Sequence, residues 1–256
     1  MNPVLPDPDP RPTGIFWSAY RWWMDESVRT NPLRSTVALL STLWEFVRNS
    51  TPGRLRQRYG DADYDWENRV NTTSAAVGWR DRLLGMFHSP YQPTDPALFH
   101  EMISVLQSQT QLHLEQFTFI DLGSGKGRAL LMASDVPFQR IIGVELLPSL
   151  HRVAEENILR YKSEAQQCLA LQCVCGDATR YEFPAEPLVV FLFNPFPETG
   201  LRTVVSNLER SVREQPRSVY ILYHNPLLEN ILTESASLRK VTGTHQYSIF
   251  TVQIGG

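Results

Sequence analysis

The chain has 256 residues, of which 42% are hydrophobic and 20% are charged, and this composition excludes wholesale disorder because it can supply a packed core. A formal net charge of −3, from 24 basic and 27 acidic residues, gives no electrostatic case for a dedicated nucleic-acid or anionic-membrane binder. The length suits one large domain, or one medium-sized domain with an extension.

The first 90 residues differ in composition from the rest and are predicted to form an extension. Residues 1–13 are rich in proline and are expected to be disordered, whereas apolar spacing predicts helices at 16–29 and 35–49. Residues 59–90 are predicted to be a loop followed by a short helix near 79–87.

The first dozen residues lack the apolar core of a signal peptide, so we expect a cytoplasmic protein with reduced cysteines. No cluster with metal-ligand spacing is found, so no metal site is predicted.

From residue 91 onward, strand and helix signals alternate. A first amphipathic helix is predicted to begin near Asp95 and Pro96. Apolar strands that precede helices are then predicted at 117–121, 140–145, 169–175, 188–193 and 218–223, and a closing pair of strands at 238–241 and 246–254. Because the strands are continuous apolar runs separated by helices, the pattern indicates a parallel sheet covered on both faces. The predicted fold class is therefore α/β, doubly wound and Rossmann-like, with the helical extension at residues 1–90 and the sheet domain at residues 91–256.

The densest motif is FIDLGSGKGR, in which a strand leads through a glycine-rich turn into a helix. Gly123, Gly125 and Gly127 recur at every second position, which lets the backbone bend sharply and approach a ligand. The spacing is not that of a phosphate-binding loop, and the dinucleotide fingerprint needs a glycine where Arg128 stands. The remaining candidate is an S-adenosylmethionine turn, in which the carboxylate of Asp121 accepts hydrogen bonds from the ammonium end of the cofactor.

Two further acidic residues follow the next two strands. Glu145, 24 residues after Asp121, could accept the ribose hydroxyls, and Asp177 could accept the adenine amino group while the Ala178 N–H donates to a ring nitrogen. The structural alternatives are that Glu145 caps the next helix and that Asp177 only forms a turn. Acids at three successive strand ends favour the cofactor interpretation.

On these motifs, the chain from about Tyr91 to its end resembles the class I, seven-stranded S-adenosylmethionine-dependent methyltransferases. The matching residues are Asp121, Leu122, Gly123, Ser124, Gly125, Lys126 and Gly127, then Glu145, then Gly176, Asp177 and Ala178, then Asn194, Pro195, Phe196 and Pro197. The resemblance implies a sheet of order 3-2-1-4-5-7-6 with the last strand antiparallel. It also implies that Ser124 and the three glycines contact the cofactor.

A narrower resemblance concerns the segment Tyr91-Gln92-Pro93-Thr94. It is similar to an upstream segment of the seven-stranded lysine methyltransferases that packs over the methionine end of the cofactor. This implies a catalytic-site position for Tyr91 and a cofactor contact for Thr94. The alternative is a simple helix-start turn with Thr94 or Asp95 as N-cap. The NPFP motif departs from that subgroup and resembles the loops of amide and adenine amino-group methyltransferases.

Two polar residues at strand ends are candidates for handling the methyl acceptor. The amide carbonyl of Asn194 could hold a nucleophilic N–H, and His224 could act as a general base; the alternatives are a loop start and a structural histidine. The sequence thus predicts an enzyme that transfers methyl groups to a nitrogen or oxygen, with a protein side chain such as lysine as the leading acceptor class and nucleic acid as a less favoured one. The rival prediction is a catalytically silent scaffold of the same fold.

Overall fold

The computed structural model describes Thr36, residues 62–73 and residues 92–253. Three predicted features and Tyr91 lie outside these ranges: the helices at 16–29 and 79–87 and the disorder at 1–13. Of the predicted helix at 35–49, only Thr36 is described. The chain divides into two compact units, and the second, Asp61–Thr73 with Gln92–Gly256, contains the sheet.

Helices and strands alternate through this second unit. The helices are α1 (Ala62–Asn68), α2 (Pro96–Thr110), α3 (Arg128–Ser134), α4 (Pro148–Arg160), α5 (Glu198–Glu214) and α6 (Glu229–Thr233). The strands are β1 (Thr118–Leu122), β2 (Arg140–Glu145), β3 (Leu171–Cys175), β4 (Leu188–Leu192), β5 (Val219–His224), β6 (Leu238–Gly243) and β7 (Tyr247–Val252).

The seven strands form one sheet of order β3-β2-β1-β4-β5-β7-β6. The first five strands are mutually parallel, whereas β7 is antiparallel to both β5 and β6. This confirms the predicted doubly wound α/β class, the strand order and the antiparallel last strand. All five parallel strands overlap the apolar stretches that predicted them.

Two apolar clusters cover opposite faces of the sheet. Alternate residues of β1 serve different faces: Phe119 packs in the cluster that includes α2 and α3, and Ile120 packs in the cluster that includes α5 and α6. The two central strands, β1 and β4, are buried along their whole length. Because β1 and β4 are parallel, their carboxyl ends lie at the same edge of the sheet, where ligands of such folds bind.

Two local predictions have clear outcomes. Asp95, rather than Thr94, is the N-cap of α2, since its side chain accepts a hydrogen bond from the Leu98 amide at 2.9 Å. The prediction of a loop at the start of 59–90 was wrong for 62–68, where α1 forms. The acidic residues there gave no apolar periodicity, and the helix is held instead by tertiary contacts of Asp65 described below.

Candidate active site

The turn between β1 and α3 is built on three glycines in the left-handed region. Gly123, Gly125 and Gly127 have φ values of +88°, +55° and +84°, which side chains with a Cβ rarely adopt. The amides of Gly123 and Ser124 both donate to the Val144 carbonyl, at 2.8 and 3.1 Å, so the turn is anchored to the end of β2.

Close packing is a second reason why position 123 requires a glycine. A Cβ added to Gly123 would lie 2.5 Å from Cβ of Pro195, which follows β4. The loop after β4 therefore presses directly against the glycine turn. This contact joins two of the sequence motifs, DLGSGKG and NPFP, at one place in the fold.

Glu145 links the end of β2 to the glycine turn. It is buried, and its two carboxylate oxygens accept from the Gly125 amide and from the Leu147 amide, both at 2.8 Å. Leu147 is the residue before α4, so this bond lies next to the helix start but does not cap a helix amide as the structural alternative predicted. The bond to Gly125 is a second role, because it fixes the turn that the cofactor interpretation requires.

Asp121 is the penultimate residue of β1 and is buried near Glu145. Only 4% of the residue is exposed, and no hydrogen bond or ion pair within residues 62–73 and 92–253 reaches its carboxylate. Burial and, to a lesser extent, the neighbouring Glu145 carboxylate raise the pKa of Asp121 to about 8. The site thus holds an acidic group that a positively charged ligand would stabilise in its ionised form.

Asp177 follows β3 and begins a short 3-10 helix, Ala178–Arg180. Its carboxylate accepts from the Thr179 amide at 2.9 Å and from the Thr179 hydroxyl at 2.7 Å, so it makes the predicted turn. Both bonds use the same oxygen, Oδ1. Ala178 is buried, next to the third strand end in the row formed by β1, β2 and β3.

Two smaller side chains at the predicted cofactor site are also buried. Ser124 and Thr94 are each 5% exposed. The Ser124 hydroxyl is fully covered and finds no hydrogen-bond partner among the described residues, although it lies in the glycine turn. An unpartnered buried hydroxyl costs free energy and is a candidate ligand contact.

Asn194 is held in a strained backbone conformation with both ends of its amide engaged. Its φ is +45°, its carbonyl oxygen accepts from the Tyr223 hydroxyl at 2.9 Å, and its NH₂ donates to the Asn225 carbonyl at 2.6 Å. Asn225 itself has a φ of +48°. Two non-glycine residues in the left-handed region at adjacent strand ends are typical of functional sites. The amide carbonyl keeps one further lone pair for a donor.

His224 ends β5 next to this pair. Its ring stacks on Phe193, with ring centroids 3.9 Å apart, and only 7% of the residue is exposed. Its Nδ1 atom is buried and accepts or donates no hydrogen bond within the described ranges. Burial lowers the pKa of His224 to about 4, against a smaller opposing effect of Asp95, so the imidazole is neutral at neutral pH.

Sequence reasoning missed a group of contacts between α1, with its following residues, and the glycine turn. Arg128 is buried, its Nε donates to the Thr72 hydroxyl at 2.6 Å, and its Nη2 lies 3.3 Å from Asp65. Lys126 is fully buried and its Nζ donates to the Thr73 carbonyl at 2.7 Å. The signal was present as two basic residues inside an otherwise apolar, glycine-rich motif, which requires buried partners.

Comparisons with known proteins give a likeness of fold alone. No protein-family model matches the chain, and no curated protein matches it either. An RNA methyltransferase from Salinibacter ruber, solved with S-adenosyl-L-homocysteine, is 19% identical over 64% of this chain and 95% of its own, with a TM-score of 0.42. A predicted N6-adenine-specific DNA methylase from Listeria monocytogenes is 16% identical over 62% of this chain and 51% of its own, with a TM-score of 0.45.

A third structure, a ribosomal protein L11 methylase from Lactobacillus delbrueckii, is 13% identical over 65% of this chain and 83% of its own, with a TM-score of 0.43. At these identities and TM-scores the comparisons say nothing about the methyl acceptor, so the expectation that nucleic acid is a less favoured acceptor stays a prediction. None of the three is named as a lysine methyltransferase, so the narrower resemblance stays a prediction. Within the described ranges, no helix has the length and apolar character needed to cross a membrane.

Proposed function

We propose that the protein is an S-adenosylmethionine-dependent methyltransferase that binds its cofactor along the carboxyl ends of β1, β2 and β3. The observation that carries this proposal is the buried carboxylate of Asp121, which lies beside Glu145 and meets no cation among the described residues. A ligand with an ammonium group and a sulfonium would favour the ionised form of Asp121. An anionic group placed beside the two carboxyls would oppose ionisation.

The residues present fit such a cofactor. Asp121 would hold the ammonium end, and the carboxylate of Glu145 would accept the ribose hydroxyls. Asp177 uses one oxygen for its turn and keeps the other for the adenine amino group. The three glycines of the turn have positive φ values, and because they carry no side chain the backbone can approach a ligand closely.

The bound cofactor supplies an already activated methyl group, so the protein has mainly to position the acceptor and exclude water. Asn194 is placed for this by its bonds to Tyr223 and Asn225, which fix the direction of its carbonyl oxygen. We assign this carbonyl the role of accepting a hydrogen bond from the nucleophilic N–H or O–H. Pro195 holds the same loop against Gly123 and so keeps the acceptor loop next to the cofactor turn.

We assign His224 the role of a hydrogen-bond acceptor and not that of a general base. With a pKa of about 4, its imidazole takes a proton reluctantly at neutral pH. Its buried, unpartnered Nδ1 can orient a donor group. We therefore propose an acceptor that reaches the site as a neutral nitrogen or an oxygen, with a protein side chain such as lysine as the first class to test.

The second candidate function is a catalytically silent module that keeps the cofactor site. The strained pair Asn194 and Asn225 argues for the enzyme, because strain at a strand end persists where a site needs it. Turnover separates the two functions. A silent module binds S-adenosylmethionine without releasing S-adenosylhomocysteine when an acceptor is offered.

The test is incorporation of a labelled methyl group. The full chain is incubated with S-adenosylmethionine labelled in the methyl group and with cell lysate separated into protein, RNA, DNA and small-molecule fractions. The proposal predicts label in one fraction and an equal amount of S-adenosylhomocysteine, and no label with Asp121→Ala. Cofactor binding without label in any fraction would favour the silent module.

A further inference from the structure

Residues 64–73, here called the docking segment, form a closed loop around one carboxylate. Asp65 accepts from the amides of Thr72 and Thr73, both at 2.8 Å, and from the Thr72 hydroxyl. Arg69, with a φ of +55°, reverses the chain after α1. The loop is therefore held in shape by its own hydrogen bonds before any contact with the sheet is counted.

The closed loop receives the side chain of Arg128, the first residue of α3. The Arg128 guanidinium donates to the Thr72 hydroxyl at 2.6 Å, lies 3.3 Å from Asp65, and packs over the Tyr64 ring at 4.6 Å from its centroid. Thr72 in turn donates to Asp65. Arg128 is 2% exposed, so this charge is stabilised inside the protein by the docking segment.

Lys126, in the middle of the glycine turn, is held in the same way. Its Nζ donates to the Asn71 side-chain oxygen at 3.1 Å and to the Thr73 carbonyl at 2.7 Å. Burial lowers the pKa of Lys126 to about 8, with Asp65 acting against the shift. Both basic residues of the turn thus point into the docking segment.

Asn157 of α4 closes the arrangement. Its side chain accepts from the Asn71 amide at 2.8 Å and donates to the Asn71 carbonyl at 3.0 Å. Asn157 therefore pairs with both backbone polar groups of Asn71 in the docking segment. It also donates to the Lys126 carbonyl at 2.9 Å. One side chain therefore ties the docking segment to the backbone of the glycine turn.

We propose that the docking segment is a positioning element for the glycine turn, and that Asp65 and Thr72 act on cofactor binding through Arg128 and Lys126. The cofactor part of this inference rests on the proposed function. The docking segment bonds to the side chains of Lys126 and Arg128 and not to the residues proposed to contact the cofactor. It therefore sets the shape of the turn indirectly, through these two side chains. Docking of the segment and binding of cofactor are then coupled, and each strengthens the other by the same factor.

Two variants remove the coupling with little change in shape. Thr72→Val deletes the hydroxyl that joins Arg128 to Asp65, and Asp65→Asn removes the charge. Glu67→Gln is the matched control, since Glu67 lies exposed on the same helix. For each full-length protein, we would measure the dissociation constant for S-adenosylmethionine, the unfolding temperature, and hydrogen exchange at residues 64–73 and at the amides of residues 125–128.

The positioning role predicts faster exchange at the amides of residues 125–128 in Thr72→Val and an affinity about tenfold weaker, because a charge-assisted hydrogen bond to a buried group is lost. In the wild-type protein, the cofactor should slow exchange in the docking segment. The control should match the wild type in every measurement. If Asp65→Asn does not fold, Thr72→Val carries the test.

Two negative results have different meanings. If the wild-type protein binds cofactor, but Thr72→Val shows unchanged affinity and unchanged exchange at residues 125–128 with only a lower unfolding temperature, the segment is merely structural and the inference is overturned. If the wild-type protein binds no S-adenosylmethionine, the proposed function fails. Exchange at the turn in the two variants then still decides the positioning role.

Discussion

At the scale of single residues, burial controls the protonation state of Asp121. Its pKa of about 8 lies above the ordinary value of 3.8, so the folded protein holds a proton that the unfolded chain releases between these values. Stability from this group is therefore greatest at low pH and is lost as the pH rises toward 8. A carboxyl that carries this cost near the end of β1 supports the proposed role of Asp121 in ligand binding.

Asp121→Asn should consequently stabilise the protein without cofactor while weakening the binding of S-adenosylmethionine. Near pH 8 we expect a gain of a few degrees in Tm, since about 1 kcal/mol corresponds to roughly 2–4 °C in a domain of this size. The gain should shrink as the pH falls toward 3.8, and below that value the wild-type carboxyl becomes protonated in both states. Thermal unfolding at several pH values measures this, and a variant less stable than the wild type near pH 8 would contradict it.

Asn194 is expected to act on the acceptor and not on the cofactor. Asn194→Ala should keep the affinity for S-adenosylmethionine within about twofold and lower the rate of methyl transfer by about tenfold, because a positioning hydrogen bond is lost. Tyr223→Phe is the comparison, since it removes only the hydroxyl that fixes the Asn194 carbonyl. We expect a smaller loss there. Equal turnover in Asn194→Ala and the wild type would remove Asn194 from the mechanism.

At the scale of elements, the turn between β1 and α3 depends on the absence of side chains. Gly123→Ala would combine a φ of +88° with a contact of 2.5 Å to Pro195. We expect a loss of about 2–4 kcal/mol in the free energy of unfolding and a loss of cofactor binding, because both the turn and the acceptor loop must shift.

Gly176→Ala is the control for this substitution. Gly176 follows β3 in the same row of strand ends, yet an added Cβ would meet nothing within 4 Å. Its free energy of unfolding should change by no more than about 0.5 kcal/mol. Chemical denaturation of both variants gives the comparison, and equal stability of the two would show that the contact with Pro195 does not constrain the turn.

Elements of this fold were predictable where one segment carried the whole signal. The strand β2 was predicted with its observed bounds, Arg140–Glu145, because it is an apolar run with an acid at its end. Helix α1 was not predictable in this way. Its partly buried Asp65 has its partners in Thr72 and in Arg128, and Arg128 lies 63 positions further along the chain.

The same limit applied to the site. Asp121 and Glu145 were found because acids at successive strand ends form a pattern, but the bond from the Gly125 amide to Glu145 depends on how the turn folds back. Asn194 was found as a motif residue, whereas its partners Tyr223 and Asn225 come from another strand end. Sequence patterns thus indicated the candidate site residues, and the fold determined what each side chain contacts.

At the scale of the whole molecule, the sheet unit takes residues from two parts of the chain. Residues 62–73 pack with the unit formed from residue 92 onward, although the sequence placed them in the extension of residues 1–90. The division at residue 90 remains a prediction. What the structure adds is that the glycine turn is supported by residues more than 50 positions before it. We therefore expect the cofactor site to require the chain from at least residue 62.

The central claim is that the three strand ends bind S-adenosylmethionine through a buried acid. Titration calorimetry of the full chain at about pH 6 and about pH 7 tests it, a range below the titration of the ligand's own α-amino group near pH 8. We predict one site, an affinity several-fold higher at the upper pH, and the release of about one proton on binding, because the cationic ligand must ionise Asp121. No heat and no thermal shift at millimolar S-adenosylmethionine would contradict the account.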